Sequence, residues 1–170
     1  RVGGARNDGA MRAKGEIVAF ADADCIAPPD WLSRIRDDFA KYRPVEVYGT
    51  VYPKEGGLKN RIALGMANTF AWIGYHTRTL YYSLGCNTAV DRAAFIRAGM
   101  YRPMDAGEDI EISLRMRKFG KVLLDPGLRV GFSMRRYQKF GTMQSLYEWI
   151  SIVADGGESN KFSYTQKKYK

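Results

Sequence analysis

The chain has 170 residues, of which 45% are hydrophobic and 13% aromatic, and its formal net charge is +9. This size and composition suit one compact core, which excludes a largely disordered chain and argues against two independent domains. The charge points to an anionic partner such as nucleotide phosphates, phospholipid or nucleic acid, without choosing among them.

The first part of the chain alternates predicted helices and strands. A helix is predicted over residues 5–14, followed after Gly15 by a continuously apolar strand over 17–21. That strand fits a central parallel strand covered on both faces. A second helix is predicted from residue 31 to about 41, and a strand over 45–52. Because the chain starts in a loop that leads into a helix, we expect an upstream segment of the sheet to be missing.

The middle of the chain contains the longest uncharged stretch, residues 62–77, which includes Asn68, Thr69 and His76. It falls short of the ~20 apolar residues that a membrane-spanning helix needs, so no transmembrane helix is predicted. His76, the only histidine, is expected to be a surface or loop residue rather than a metal ligand. Cys25 and Cys86 form no CxxC pair, so neither a disulfide scaffold nor a zinc site is expected, and a reducing, cytoplasmic setting is the default.

Two further helices are predicted in the second half. Asp91 can cap a helix over 92–98, which Gly99 can close in the left-handed conformation. The next helix should begin at Glu108-Asp109 and end at Gly120. Its apolar face would consist of Ile112, Met116 and Phe119.

The remaining elements complete an α/β layer fold. Short strands over 122–124 and 128–132 surround a turn at 125–127, and a last helix spans roughly 142–154. We therefore expect one domain over 1–154. The polar, lysine-rich segment 155–170 is expected to be a mobile tail or a lid.

Two acidic motifs carry the candidate chemistry. Asp22 and Asp24 lie two residues apart after the 17–21 strand, and in an extended backbone both side chains would project to the same side. Hard oxygen ligands at this edge of a sheet suit Mg²⁺ or Mn²⁺, which would neutralise charge on a departing diphosphate. Two aspartates after a strand are also ordinary turn and helix-cap residues.

The second acidic motif is Glu108-Asp109, at the start of a predicted helix. Acidic residues are favoured in a first helical turn because they meet the positive end of the helix dipole. The functional alternative makes Asp109 a general base that takes the proton from an acceptor hydroxyl.

Two segments resemble, in order and spacing, the family 2 glycosyltransferases of the GT-A fold. They are GGARNDGAMRAKGEIVAFADADC (3–25) and GCNTAVDRAAFIRAGMYRPMDAGEDIEISLRMRKFGKV (85–122), and the resemblance covers roughly residues 3–136. It implies a mixed sheet flanked by helices, incomplete at its amino end, and an inverting transfer of a hexose-type sugar. The segment that holds the nucleotide base in that family is absent, which leaves the choice between UDP and GDP sugars open.

On the donor side, the resemblance implies that Asp22 contacts the ribose or the metal and that Asp24 ligates the metal. Arg6 and Asn7 would help to hold the nucleotide. A solvated helix start explains Arg6 and Asn7 equally well.

On the acceptor side, the resemblance implies that Asp109 is the catalytic base of the displacement at the anomeric carbon. Glu108 would touch the acceptor or the sugar. The segment Gly85-Cys86-Asn87, interpreted as a glycine-rich strand, leads into this acceptor side, so Gly85 and Asn87 are assigned to acceptor binding.

A basic cluster, Arg135, Arg136 and Lys139, follows the last predicted strand. In the resemblance it occupies the place where family members close over the donor diphosphate, and arginine can bind phosphate through two hydrogen bonds. A solvated basic face explains it equally well. Many relatives also carry a histidine near residues 130–133, and this chain has none there.

The last predicted helix has Trp149 beside an apolar stripe. A stripe next to a basic cluster suits a helix lying on an anionic membrane, although packing in the core is the favoured interpretation. The stripe consists of Met143, Leu146, Tyr147, Ile150 and Val153.

Together these features predict a metal-dependent enzyme with a UDP- or GDP-sugar donor and a saccharide or polyprenyl-linked acceptor. The expected location is cytoplasmic, with a peripheral membrane contact left open. The alternative is a non-catalytic basic module that binds phospholipid or nucleic acid, which explains the charge but not the two acidic motifs. No nucleic-acid motif is recognisable, so no nucleic-acid partner is expected. A third interpretation is a glycosyltransferase-like fragment that cannot turn over without its nucleotide-binding start.

Overall fold

The computed structural model describes residues 2–78, 81, 83–141, 144, 145, 147, 148, 150 and 151. Helices and strands alternate along most of this part of the chain. In chain order the named elements are α1 (Val2–Arg12), β1 (Ile17–Phe20), α2 (Trp31–Tyr42), β2 (Glu46–Pro53), α3 (Leu58–Thr77), β3 (Thr88–Asp91), α4 (Arg92–Arg97), α5 (Glu108–Met116), β4 (Val122–Phe132) and α6 (Arg135–Phe140).

The four strands form one mixed sheet in the order β1-β3-β2-β4. Strand β3 runs antiparallel to both β1 and β2, whereas β2 and β4 are parallel. The prediction of an α/β fold with a mixed sheet flanked by helices is confirmed.

The prediction for β1 as a central parallel strand is wrong. Among the described strands β1 is last in the sheet order, and it pairs with β3 in the antiparallel sense. Both of its faces are nevertheless covered, because Val18 and Phe20 join one apolar cluster while Ile17 and Ala19 pack against the other. A run of apolar residues reports that both faces are covered and says nothing about strand direction.

The apolar core consists of two clusters of buried side chains. The first contains side chains from β1, α4 and α5, such as Phe20, Phe95 and Met116. The second contains Trp31 and Ile35 of α2, with side chains from β2 and β4. Each large apolar side chain that is fully buried contributes about 1.5–3 kcal/mol, so these clusters fix where the loops at the ends of the strands meet.

Three elements agree closely with their predictions. Helix α2 and strand β2 shift by one residue at most, and α4 follows its predicted cap. The backbone amide of Ala94 donates to Asp91 Oδ1 over 2.6 Å, and Gly99 has a φ of +85°. Helix α1 begins at Val2 and ends at Arg12, so it lies earlier in the chain than predicted.

Helix α5 is shorter than predicted. It ends at Met116 instead of Gly120, because the backbone closes with short-range bonds after that residue, such as Phe119 N to Met116 O. Ile112 and Met116 are buried as predicted, whereas Phe119 is exposed. The Arg97 guanidinium covers one face of the Phe119 ring, which explains how this large apolar side chain remains at the surface.

Strand β4 is continuous where two short strands and a turn were predicted. Its pairing with β2 steps from Asp125, opposite Gly49, to Arg129, opposite Thr50, so the predicted turn residues form a bulge inside one strand. The Gly127 amide donates to Asp125 Oδ1 over 2.8 Å within the bulge. A Cβ atom on Gly49 would lie 1.9 Å from Leu128 O, so glycine is required beside the bulge.

Helix α3 was not predicted. It packs on β2 through Leu64 and Ala71, and the Asn68 amide bonds to both the backbone N and O of Val51, over 3.1 and 2.8 Å. Its outward face is apolar as well, so the residues lack the contrast between faces that indicates a surface helix. His76 lies exposed on this helix, which confirms a surface position. No helix in the described part of the chain is long and apolar enough to cross a membrane.

Helix α6 occupies the region of the predicted basic cluster. Within the predicted helix 142–154, the described positions 144, 145, 147, 148, 150 and 151 are helical. The other positions of that helix, including 143, 146, 149 and 153, and the predicted tail 155–170 lie outside the described residues.

The core packing favoured for the stripe on that last helix is wrong for its two described members. Tyr147 and Ile150 are exposed, whereas Ser145 and Glu148 are buried. The helix therefore turns a small polar and an acidic side chain inward. The neighbouring Gln144 amide donates to Glu148 Oε1 over 2.9 Å, which partly satisfies the buried carboxylate.

Candidate functional site

Asp22 and Asp24 lie in a turn directly after β1. The strand ends at Phe20, and the amide of Cys25 closes the turn on Asp22 O over 3.0 Å. The two aspartates are therefore not in the extended backbone that the sequence argument assumed. Their side chains are 39% and 45% exposed, so both carboxylates remain accessible to a ligand.

Arg6 of α1 links the two acidic motifs. Its Nη2 donates to Asp22 Oδ1 over 2.7 Å, and its Nη1 donates to Glu108 Oε1 over 3.3 Å. The Arg6 side chain is almost buried, so this pairing is less screened by water than a surface ion pair. A Cβ on Gly85 would lie 2.5 Å from Arg6 Nη1, so residue 85 must be glycine for the guanidinium to reach this position.

The Asn7 side chain binds the backbone of Tyr101, which precedes the second acidic motif. Its Nδ2 donates to Tyr101 O over 2.9 Å, and its Oδ1 accepts from Tyr101 N over 3.0 Å. This pair of bonds holds the segment that precedes α5 against α1. The predicted contact of Asn7 with a nucleotide stays a prediction.

Asp109 lies in the first turn of α5, after Gly107, whose φ of +78° belongs to the left-handed region. Its Oδ2 accepts from the Gly85 amide over 3.1 Å, and its Oδ1 accepts from the Ile110 amide over 2.9 Å. The side chain is half-buried. These two amides fix the carboxylate in place while part of it stays open to solvent.

The surroundings raise the pKa of Asp109 to about 7. Desolvation by the packed protein is the main cause, and repulsion from Glu108 adds to it, whereas the Gly85 amide and the Arg6 cation oppose the rise. A carboxyl group with a pKa near neutral pH is suited to accept a proton and to release it again.

Gly85 and Asn87 lie in the turn before β3, not in a strand as predicted. Asn87 is fully buried. Its Nδ2 donates to Thr50 O over 2.9 Å and to Leu128 O over 2.7 Å, and its Oδ1 accepts from Trp31 Nε1 over 2.8 Å. Asn87 therefore joins β2, β4 and α2, and its predicted contact with an acceptor stays a prediction.

Arg135 reaches the second aspartate of the turn after β1. Its Nη2 donates to Asp24 Oδ2 over 3.1 Å, and its Nε donates to Ser133 Oγ over the same distance. Arg136 follows on α6 and is half-buried. The exposed Arg135 side chain thus lies beside the accessible carboxylates, where an anionic group would meet it.

Two cysteines far apart in the sequence meet next to Asp22. The ligand atoms of Asp22, Cys25 and Cys86 all lie within 4.8 Å of one another. Both cysteines are free thiols, and the hydrogen bond between them lowers the pKa of Cys25 and raises that of Cys86, whose burial adds to the rise. The spacing of the cysteines, which predicted neither a disulfide scaffold nor a zinc site, gave no sign of this cluster.

The donor atoms in this region fit the divalent ion that the resemblance implies. Accessible carboxylate oxygens from Asp22 and Asp24 are the hard ligands that Mg²⁺ and Mn²⁺ prefer. The thiols beside Asp22 add softer atoms. Arg6 and Arg135 form ion pairs with the two carboxylates. A metal ion would therefore compete with these guanidinium groups for the carboxylate oxygens.

A buried polar group lies behind Asp109. Glu46 of β2 is fully buried, and its Oε1 accepts from Ser113 Oγ over 2.6 Å. Ser113 Oγ lies 2.9 Å from Ser83 Oγ, which donates to Asp109 O over 3.0 Å. Burial raises the pKa of Glu46 to about 8. Sequence reasoning missed this group, although an acid inside an otherwise apolar strand was a visible signal.

A cleft of about 630 Å³ lies elsewhere, between α3 and the ends of β2 and β4. Arg61 and Arg129 line it, with Asp30 and Asn68. None of the residues predicted for donor, acceptor or metal lines this cleft. The chemistry-bearing side chains meet instead around Arg6.

Comparison with known families yields one match. The model described as Glycosyl transferase family 2 matches residues 1–104, which is more than half of the chain. The match includes Arg6, Asp22, Asp24 and Gly85, and it ends before Asp109. The hydrogen bond from Gly85 to Asp109 connects the matched part with the second acidic motif.

Proposed function

Because the chain belongs to glycosyl transferase family 2 and is a glycosyltransferase that acts on a nucleotide-sugar donor and an acceptor, we propose that it is an inverting hexosyltransferase. The donor is a UDP- or GDP-sugar, and the acceptor is a saccharide or a polyprenyl-linked molecule. The observation that carries the proposal is the Arg6 link between Asp22 and Glu108, since it brings the two acidic motifs into one site.

Asp109 performs the proton transfer. Its carboxylate takes the proton from the acceptor hydroxyl as that oxygen forms a bond to the anomeric carbon. The bond from the anomeric carbon to the diphosphate oxygen breaks on the opposite face, which inverts the configuration. The Gly85 and Ile110 amides keep the carboxylate oriented during this step.

The donor lies on the side of the turn after β1. Asp22 and Asp24 would hold Mn²⁺ or Mg²⁺, and a bound divalent ion supplies positive charge that stabilises a leaving diphosphate. Arg135, beside Asp24, is placed to bind diphosphate oxygens. Arg6 keeps Asp22 in position from the protein side.

The proposal includes a cytoplasmic location. Its support is the sequence, because the two cysteines form neither a CxxC pair nor a regular disulfide framework.

The experiment is to replace Asp24 by Ala and to measure release of UDP or GDP from a panel of nucleotide sugars, with and without Mn²⁺. We expect metal-dependent turnover to be abolished while the far-ultraviolet circular dichroism and the melting temperature remain close to those of the parent. The matched control is Asp37→Ala, which removes an exposed aspartate whose partner is its neighbour Arg36. Metal-dependent turnover that survives in Asp24→Ala would contradict the site assignment.

A further inference from the structure

The outward face of α3 is a continuous row of large apolar side chains. They recur every three or four residues, so they form one stripe along the helix. The helix already packs on β2 through its opposite side, where Leu64 and Ala71 are buried, so the stripe is not turned toward the core. Its exposed members are Leu58, Ile62, Met66, Phe70 and Ile73. Contiguous apolar surface of this kind commonly marks an interaction site.

The charged residues of α3 and its cap are all basic. Lys59 and Arg61 lie in the first turn of α3, Arg78 lies at its end, and residues 58–78 contain no aspartate or glutamate. Within the described part of the chain, neither Lys59 nor Arg61 takes part in an ion pair. Long basic side chains beside an apolar stripe can contact anionic headgroups while the stripe enters the apolar layer.

The carboxyl end of α3 adds an aromatic pair. Trp72 is exposed and stacks against His76, with 4.2 Å between the ring centroids. A tryptophan ring combines a large apolar body with one polar N–H group, which suits the boundary between water and lipid. The aromatic pair and the basic first turn therefore lie at the two ends of the same apolar stripe.

We propose that the outer face of α3, residues 58–76, docks on the surface of an anionic phospholipid membrane. A second copy of the chain is the less suitable occupant. In a symmetric pair the two faces would bring Lys59 and Arg61 of one copy near cations of the other, in a chain with a net charge of +9. This inference goes beyond the proposed function and does not rest on it.

A short segment after α3 carries Ser83 and Gly85, which bond to the backbone and side chain of Asp109. Under the proposed function, this connection between the docked helix and the general base suits an acceptor that is carried by a lipid.

The experiment is cosedimentation with vesicles of phosphatidylcholine alone and of phosphatidylcholine mixed with phosphatidylglycerol, without donor or metal. We expect binding to the mixed vesicles that weakens as salt is added. Phe70→Ser should reduce partitioning about tenfold, since it removes one large apolar side chain from the interface. Leu32→Ser is the matched control, because Leu32 on α2 is 65% exposed and Phe70 is 63% exposed; it should bind as the parent does.

Three results would overturn the proposal. They are the absence of binding to either vesicle, equal loss in the Phe70 and Leu32 variants, and loss only in Tyr147→Ser, which would assign the contact to the last helix. A dimer in sedimentation velocity that Phe70→Ser dissociates, without vesicle binding, would assign the face to a second copy. Circular dichroism melts show that each variant is folded. Sugar-nucleotide turnover on a soluble acceptor is a separate measurement, so failure on vesicles leaves the proposed function standing.

Discussion

Asp109 is held between two opposite influences on its charge. Burial and the neighbouring Glu108 favour the protonated form, whereas two backbone amides and Arg6 favour the carboxylate. The balance gives a pKa of about 7. A base in this range changes its protonation state within the pH interval in which most assays are made, so the proposed role has a measurable signature.

We predict that turnover of a hydroxyl acceptor rises with pH through about 7 and levels off above it. The sign follows from the role, because a base must be deprotonated to accept a proton, and the pKa of Asp109 is about 7. The measurement is kcat/KM across pH at saturating metal. Asp109→Asn should remove this rise together with about 10²–10⁴-fold of the rate.

The acceptor class provides the control for that variant. A lipid phosphate is already ionised near neutral pH and needs no strong base, so Asp109→Asn should be milder with a polyprenyl phosphate than with a sugar hydroxyl. Assays of the variant against both acceptors distinguish the two classes. Equal losses on both would remove the basis for assigning Asp109 to proton transfer.

For individual residues, the sequence predicted the candidate site residues but not the contacts between them. Asp22, Asp24, Glu108 and Asp109 stood out because their order and spacing resemble the family's motifs, since each pair alone is an ordinary feature of a turn or a helix start. The thiol contact of Cys86 with the turn after β1 could not be predicted, because it depends on how β3 lies beside β1.

The contact between β2 and α5 places a buried acid, Glu46, behind Asp109, the proposed general base. Glu46 bonds to Ser113, and its second oxygen, Oε2, has no partner within the described part of the chain. A buried carboxyl with one unpaired oxygen is stable mainly in its neutral form. The pKa of Glu46 in the folded protein is about 8. Burial of this carboxyl therefore lowers the free energy of unfolding at every pH where the unfolded chain would be ionised.

We predict that Glu46→Gln makes the unfolding free energy less dependent on pH. The carboxyl takes up a proton on folding at any pH between its ordinary pKa of 4.5 and its folded value of about 8. The parent should therefore lose stability as pH rises through this window, by on the order of 4 kcal/mol, since each unit of pKa difference is worth about 1.4 kcal/mol. Urea unfolding of both proteins at about pH 5 and pH 8 measures the difference.

Asp109 must be accounted for in that comparison. Its pKa is raised as well, and its charge repels that of Glu46, so only the part of its contribution that is independent of Glu46 cancels in the difference between the two proteins. A difference that stays constant between the two pH values would show that Glu46 is not kept neutral by burial.

The helix with a single apolar face was predicted well, and the helix with apolar residues on both faces was not. Helix α2 shows a clear contrast between its faces and agrees with its prediction. Helix α3 lacks that contrast, since one side is buried on β2 and the other is apolar and exposed. The β4 bulge resembled a turn because Asp125-Pro126-Gly127 has turn composition, and the parallel pairing with β2 on both sides of it is not visible in the sequence.

In the whole molecule, the part of the chain that matches the family contacts the part that follows it. Residues 1–104 match glycosyl transferase family 2, and Asp109, the proposed general base, lies beyond them. The mixed sheet, the two apolar clusters and the Arg6 link bring residues 1–104 and the segment with Asp109 into one site. The predicted division into 1–154 and 155–170 stays a prediction.

We predict that a cognate nucleotide sugar with Mn²⁺ raises the melting temperature. A ligand present at about a hundred times its Kd stabilises the native state by about 2.7 kcal/mol, which corresponds to roughly 5–10 °C for a chain of this size. The measurement is a thermal-shift screen of UDP- and GDP-sugars with and without Mn²⁺. In Asp24→Ala the part of the shift that needs Mn²⁺ should disappear, and an equal shift without the ion would contradict metal-assisted donor binding.

Under the proposed function, the Arg6 guanidinium, which pairs with both Asp22 and Glu108, couples the binding of donor and acceptor. A donor that draws Asp22 away leaves Arg6 to Glu108 alone, and an acceptor that engages Glu108 leaves it to Asp22. Occupancy on either side therefore alters the free energy of binding on the other. Such cooperativity is reciprocal by thermodynamic necessity, so the donor must change acceptor affinity by the same factor by which the acceptor changes donor affinity.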